Sequence, residues 1–130
     1  MARTAAHCGK MRRNGRDYAF VVGGFGDGAG TASCEYQDWL EPKWKSCASL
    51  PYPICCGQLI NEPETGDLLL LGGFNGTDFL NTIYRLSSID DEKWILQDQT
   101  MQVGRAEFSA LYVPNDFFPC SKTSIQHDEL

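Results

Sequence analysis

Residues 18–27 read YAFVVGGFGD and residues 67–76 read DLLLLGGFNG. The two stretches align at a constant offset of 49, with Gly23 on Gly72 and Gly24 on Gly73. Each is a short apolar run closed by Gly-Gly-Phe. An apolar run of this length bounded by turn residues predicts a strand buried on both faces. A glycine pair at its end fits a sharp turn, or a place where a neighbouring backbone leaves no room for a Cβ.

The flanks repeat in the same order. Tyr36, Trp44 and Leu50-Pro51 follow the first pair; Tyr84, Trp94 and Met101 follow the second. The spacings differ by one or two residues while the order holds, as expected of packed strands joined by tolerant surface loops. Upstream, residues 61–67 (NEPETGD) predict a turn between strands 56–60 and 68–71. Asn14-Gly15 is the matching turn, a strong hairpin signal that joins strand 5–11 to strand 18–22. A third unit opens at Gly104-Arg105, with a strand expected over 108–113. Arg3 and Arg105 occupy equivalent places, and Tyr52-Pro53 stands between them. The chain therefore divides into a first repeat (3–51), a second (52–103), the opening of a third (104–115) and a polar tail (116–130).

This ordered set resembles the kelch repeat: an Arg-led strand, an apolar strand ending in Gly-Gly, a Tyr on the third strand and a Trp at the fourth. The matching residues are Arg3, Gly23, Gly24, Tyr36 and Trp44, then Gly72, Gly73, Tyr84 and Trp94, then Arg105. The second repeat departs by having Tyr52-Pro53 where Arg is expected, and the third has no Gly-Gly. The resemblance implies an all-β fold of two four-stranded propeller blades. Closure of a propeller typically takes four to eight blades, so it further implies a fragment of a larger propeller, or association with other copies. In such a fold these residues build the blade, the Tyr and Trp filling space between neighbours. Binding falls to the inter-strand loops, here 26–33, 75–80 and 87–92.

Composition agrees with short strands. Thirteen glycines, six prolines and 12% aromatics favour tight turns over long helices, and no apolar run approaches a membrane span. The net charge of −6 is unevenly spread: residues 1–20 hold five basic residues against Asp17, leaving six against sixteen acids elsewhere. An acidic body with no basic stripe argues against nucleic acid, and the hairpin accounts for the basic start. Six cysteines (Cys8, Cys34, Cys47, Cys55, Cys56, Cys120) permit disulfides or buried thiols. Cys55 and Cys56, read as strand neighbours, would face opposite sides and take different partners.

Two further signals bear on the compartment. The terminal His127-Asp128-Glu129-Leu130 matches a signal for return to the endoplasmic reticulum, although residues 1–20 show no apolar leader. Asn75-Gly76-Thr77 is a glycosylation acceptor on an expected loop. Together with the cysteines they tilt the expected compartment from the cytoplasm towards the secretory pathway.

No nucleophile elbow, phosphate loop or clustered carboxylate pair is present, and residues 23–28 lack the Lys and helical period of a phosphate loop. The expected function is a non-catalytic kelch-type module without cofactor or metal, binding another protein through its loops and completing its fold by self-association or further blades. One alternative is a fragment of a galactose-oxidase-like copper enzyme, for which His7 and His127 are too scattered to form a metal pair. The other is a small secreted scaffold stapled by disulfides.

Overall fold

The structure is a computed structural model that describes residues 2–111 and 113. Those residues form ten strands and no helix, so the fold is all-β. The first sheet holds β1 (His7–Arg13), β2 (Arg16–Val22), β5 (Cys34–Asp38) and β6 (Glu41–Cys47) in the order β1-β2-β5-β6. The connection between β2 and β5 folds into a small ribbon of β3 (Phe25–Gly26) and β4 (Ala29–Gly30). The second sheet repeats the pattern with β7 (Gln58–Asn61), β8 (Leu68–Phe74), β9 (Phe79–Leu86) and β10 (Ile95–Leu96), in the order β7-β8-β9-β10. All pairings are antiparallel.

The hairpins follow from their turn residues. Asn14 (φ 53°) and Gly15 (φ 76°) both adopt left-handed backbone, the geometry whose twist matches the flanking strands. This sets Met11 opposite Tyr18 and His7 opposite Val22. The glycine pairs meet both demands anticipated for them. All four have positive φ, and a Cβ on Gly24 or Gly73 would lie 2.6 Å from Thr4 O or Cys55 O respectively.

The two sheets pack face to face. Met11, Phe20, Val22 and Cys34 from the first meet Leu68, Leu70, Tyr84, Leu86 and Trp94 from the second, with Leu50 and Ile54 of the connection between them. Each fully buried aliphatic or aromatic side chain contributes about 1.5–3 kcal/mol, so this shared core holds the sheets together. Counterparts taken from the glycine pairs show how they stack. Phe20 and Val22 face the second sheet, whereas Leu69 and Leu71, their counterparts, face away from the first. Val21 points out of the core while its counterpart Leu70 points in. The two sheets are thus arranged head to tail, the back of the first against the front of the second.

Two expectations are corrected. The strand expected over 108–113 does not form at 108–111, which are irregular; among the described residues no strand lies beside them to pair with, and an unpaired strand leaves its backbone groups unsatisfied. Cys55 and Cys56 do not point apart to different partners. They are disulfide-bonded to one another, at a bend where Cys56 has φ 70° rather than strand geometry. Cys34 and Cys47, directly opposite across β5 and β6, form the other disulfide, while Cys8 is free and exposed. Cys120 lies outside the described residues.

Candidate functional site

The sequence motif residues are dispersed through the sheets and the junction between them. Arg3 is nearly buried: its Nη1 donates to Gly23 O (3.2 Å) and Ser33 O (3.0 Å), and its Nη2 pairs with Glu35. Its Nε is buried without a partner. Arg105 acts through its backbone instead, its N–H donating to Leu80 O and its carbonyl accepting from Gly73. Tyr36 and Tyr84 lie on the third strand of their sheets but are not counterparts. Register sets Val21 opposite Glu35 and Leu70 opposite Tyr84, so Glu35 is the counterpart of Tyr84. Both tyrosines consequently turn into the shared core from opposite sides. Tyr84 bonds Tyr52 hydroxyl to hydroxyl at 3.0 Å, and burial, then this bond, raise its pKa.

The tryptophans are counterparts with different surroundings. Trp94 is 4% exposed and its Nε1 donates to Ala48 O at 2.8 Å, tying the second sheet to the end of the first. Trp44, within β6, is 47% exposed on the outer face of the first sheet.

A repeated junction that no sequence landmark marks joins the units. Ala5, Cys56 and Glu107 all have positive φ (54°, 70° and 55°), and they are spaced by 51 residues each time. Cys56 N–H donates to Ala5 O at 3.4 Å, and Glu107 N–H donates to Cys56 O at 2.7 Å. One position earlier, Thr4 bridges Phe25 as Cys55 bridges Phe74. Ile54 is therefore the counterpart of Arg3 and Arg105, two residues after the start at Tyr52 that the sequence suggests. No glycine or shared side chain marks the three bends, which is why the signal is invisible in the sequence.

Two polar clusters tie the sheets together, His7 beside this junction and Asp67 at the far end of β1 and β8. His7 is buried in the core with Nδ1 2.8 Å from Val22 O, and its Nε2 accepts from Gly57 N at 2.9 Å. With Nδ1 as donor, both ring nitrogens of the neutral imidazole are satisfied. Burial lowers its pKa below 6.5 despite the bond to Val22. It is a bridge between sheets, with neither nitrogen left for a metal. Asp67 accepts from Arg13 (2.5 Å), Arg85 (2.6 Å) and Ser87 (2.9 Å). Desolvation pushes its carboxyl up, but the bonds from Arg85 and Ser87 and the charges of Arg85 and Arg13 hold it below 3.8. Among the described residues no group of three His, Cys, Asp or Glu is placed to hold a metal ion.

The candidate loops divide between two edges. Phe74 pairs with Phe79 at one end of β8 and β9, and Leu68 pairs with Leu86 at the other. Loop 75–80 therefore lies with 26–33 at one edge, whereas 87–92 lies at the opposite edge, folded over Asp91 by the Ser87 and Ser88 amides. The first two loops border a cleft of about 220 Å³ lined by Phe25, Gly30, Pro53, Phe74, Asn75 and Gly76. Phe25 is 42% exposed and Phe79 is 66% exposed, Phe79 stacking on Phe74 with ring centroids 5.2 Å apart. Phe25 and Phe74 each follow a Gly-Gly pair, a sequence signal pointing to this edge. Asn75 is half-buried on the cleft wall, its Oδ1 accepting from Thr77 and Asp78. His127, Asp128, Glu129 and Leu130 lie outside the described residues. Neither a known protein family nor a curated protein matches the chain.

Proposed function

We propose that the chain forms two kelch-type propeller blades of a non-catalytic interaction module, binding a partner protein at the loop edge lined by Phe25, Phe74 and Phe79. The exposed aromatic cluster at that edge carries the binding reading. Aromatic side chains held on rigid strands and left exposed around a cleft are favoured contact residues in protein recognition. Asp27 and Asp78 flank the cluster, so a partner segment carrying an apolar anchor with a Lys or Arg beside it fits best. The blade reading is supported by the head-to-tail stacking and by the junction repeated at 51 residues, since propeller units bury their faces only against neighbours. A larger propeller, or association with further units, follows from that reading.

Selection of displayed peptides against the chain tests the binding edge. Binders enriched in apolar and basic residues are expected, with binding lost in Phe25→Ser and Phe79→Ser. Binders insensitive to both substitutions would refute this edge as the site.

The secretory reading rests on the two disulfides and on the Asn75 acceptor in its exposed turn. Expression through a secretory pathway should add a glycan that Asn75→Gln removes; an unmodified product contradicts it. A glycan there would fill one wall of the cleft, so glycosylated chain is expected not to bind the selected peptides.

A further inference from the structure

Cys55 and Cys56 sit where three units meet. Cys55 exchanges two hydrogen bonds with Phe74, its N–H donating to Phe74 O at 3.0 Å and its carbonyl accepting from Phe74 N–H at 2.8 Å. Cys56 N–H donates to Ala5 O at 3.4 Å, and Cys56 O accepts from Glu107 N–H at 2.7 Å. The disulfide between the two residues therefore closes a ring on the bend that connects both sheets and the start of the third unit. The matching bends are made by Thr4-Ala5 and Ala106-Glu107, likewise with positive φ and without sulfur.

The two disulfides differ in what they constrain. Cys34 and Cys47 stand opposite each other on paired strands, with Cα atoms 5.1 Å apart, so the sheet itself holds them within bonding reach. Their bond also closes a loop across a separation of 13 residues, which restricts the unfolded chain. The Cys55–Cys56 bond spans a separation of one and closes almost no loop, so it adds little of that kind. Adjacency along the chain fixes Cα atoms about 3.8 Å apart, inside the about 4.4 Å at which ordinary disulfides begin. The bond thus neither makes the bend nor staples the chain, and its chain geometry favours opening. Cys56 is partly exposed and Cys55 is 4% exposed, which leaves Cys56 Sγ as the sulfur within reach of an attacking thiolate.

We propose that Cys55–Cys56 is a reversible thiol–disulfide exchange site that sets how tightly the junction is held. A dithiol reductant supplies the electrons. Its thiolate attacks Cys56 Sγ, the Cys55–Cys56 bond breaks, and Cys55 leaves as a thiolate that takes up a proton. The reductant's second thiolate then attacks the reductant sulfur of the mixed disulfide, closing a ring and releasing Cys56, which is protonated in turn. Two electrons pass to the protein, and the reductant departs as a disulfide. The reduced chain keeps its fold, because the bends at Ala5 and Glu107 stand without sulfur. It loses the ring that holds Cys55 against Phe74 and Cys56 between Ala5 and Glu107. Phe74 and Pro53 also line the loop-edge cleft, so reduction loosens a wall of that cleft; this consequence alone rests on the proposed binding edge.

The test takes the full chain through dithiothreitol buffers of graded reduced-to-oxidised ratio, with alkylation and peptide mass mapping at each step. Cys55 and Cys56 are expected to become alkylated at a lower ratio than Cys34 and Cys47. Between the two transitions the Phe74 and Glu107 amides should exchange hydrogen about tenfold faster than in the oxidised chain, the loss expected for one hydrogen bond. The Trp94 indole should be unchanged. Cys55→Thr with Cys56→Ala, which copies Thr4-Ala5, should keep the circular dichroism spectrum and show the faster exchange in every buffer. The proposal is overturned if Cys55 and Cys56 are free thiols in the oxidised chain, or if the two pairs open together or in the reverse order. It is also overturned if Phe74 and Glu107 exchange equally in both states, or if the double variant exchanges as slowly as the oxidised parent. None of these readings needs a partner, so failure of the binding edge leaves them standing.

Discussion

Trp44 and Trp94 occupy matching positions in two matching sheets, so removing the indole N–H from each compares a covered face with an open one. Trp94→Phe deletes the bond to Ala48 O and leaves that carbonyl unpaired in a dry junction, a loss of about 1–3 kcal/mol. The smaller ring leaves unfilled volume in a core position only 4% exposed, adding about 1 kcal/mol. The sum, about 2–4 kcal/mol, is a large fraction of the stability of a small domain. Trp44→Phe removes an indole that is half in water and donates to nothing described, so its cost should stay within about 0.5 kcal/mol. Urea denaturation followed by far-ultraviolet circular dichroism measures both, with the slope checked for constancy. Equal costs for the two substitutions, or the larger one at Trp44, would refute the assignment of covered and open faces.

Further outcomes follow from the polar contacts and the disulfide. His7 is neutral when folded and its pKa is lowered by burial, so its contribution is complete above 6.5 and lost as the pH falls below that value, where only the unfolded chain takes up a proton readily. The denaturation midpoint should therefore drop between about pH 7 and about pH 5.5, and His7→Gln should flatten that drop; an unchanged slope in His7→Gln refutes the role. Asp67→Asn should destabilise by about 2 kcal/mol, discounted because both guanidinium partners are a quarter exposed. Asp17→Asn, which breaks only the exposed pair with Arg12, should cost under about 0.5 kcal/mol by the same urea assay. The lowered Asp67 pKa places its own loss of stability below 3.8, clear of the His7 window. Replacing Cys34 and Cys47 together by Ser should cost about 3 kcal/mol, since the bond closes a loop across a separation of 13 residues; a midpoint unchanged by reductant in the parent chain contradicts it.

Much of the fold is legible in the sequence because its signals are local. Asn14-Gly15 specifies a left-handed turn, and the turn fixes the register of β1 on β2 without tertiary information. The Gly-Gly pairs are readable because a paired glycine marks a place without room for a Cβ, although the crowding atoms, Thr4 O and Cys55 O, come from elsewhere in the chain. Landmarks matched across variable loops are a weaker guide. Tyr36 and Tyr84 match in sequence, yet a difference of one residue in spacing sends them to opposite faces of their sheets, as the period of two in a strand requires. Residues 108–111 have strand composition but pair with no strand among the described residues. Cys55 and Cys56 look like strand residues, but the bend at Cys56 belongs to the junction.

The candidate sites are less legible still. Asp67 gathers Arg13 and Arg85 from two different sheets, and His7 meets Gly57 across 50 residues, so neither contact has a sequence signature. Among the described residues Ala5 N–H, Ala6 N–H and the Trp44 indole lack the acceptors that Cys56, Gly57 and Trp94 have.

Hydrogen exchange of the dilute chain tests the repeated junction most directly. The amides of Cys56, Gly57 and Glu107 and the indole of Trp94 should exchange slowly, at rates set by opening of the junction between the sheets. The amides of Ala5 and Ala6 and the indole of Trp44 should exchange at rates near those of an unprotected chain. Equal protection of the two sets would contradict the account, because it would mean that the front of the first sheet is covered as the front of the second is.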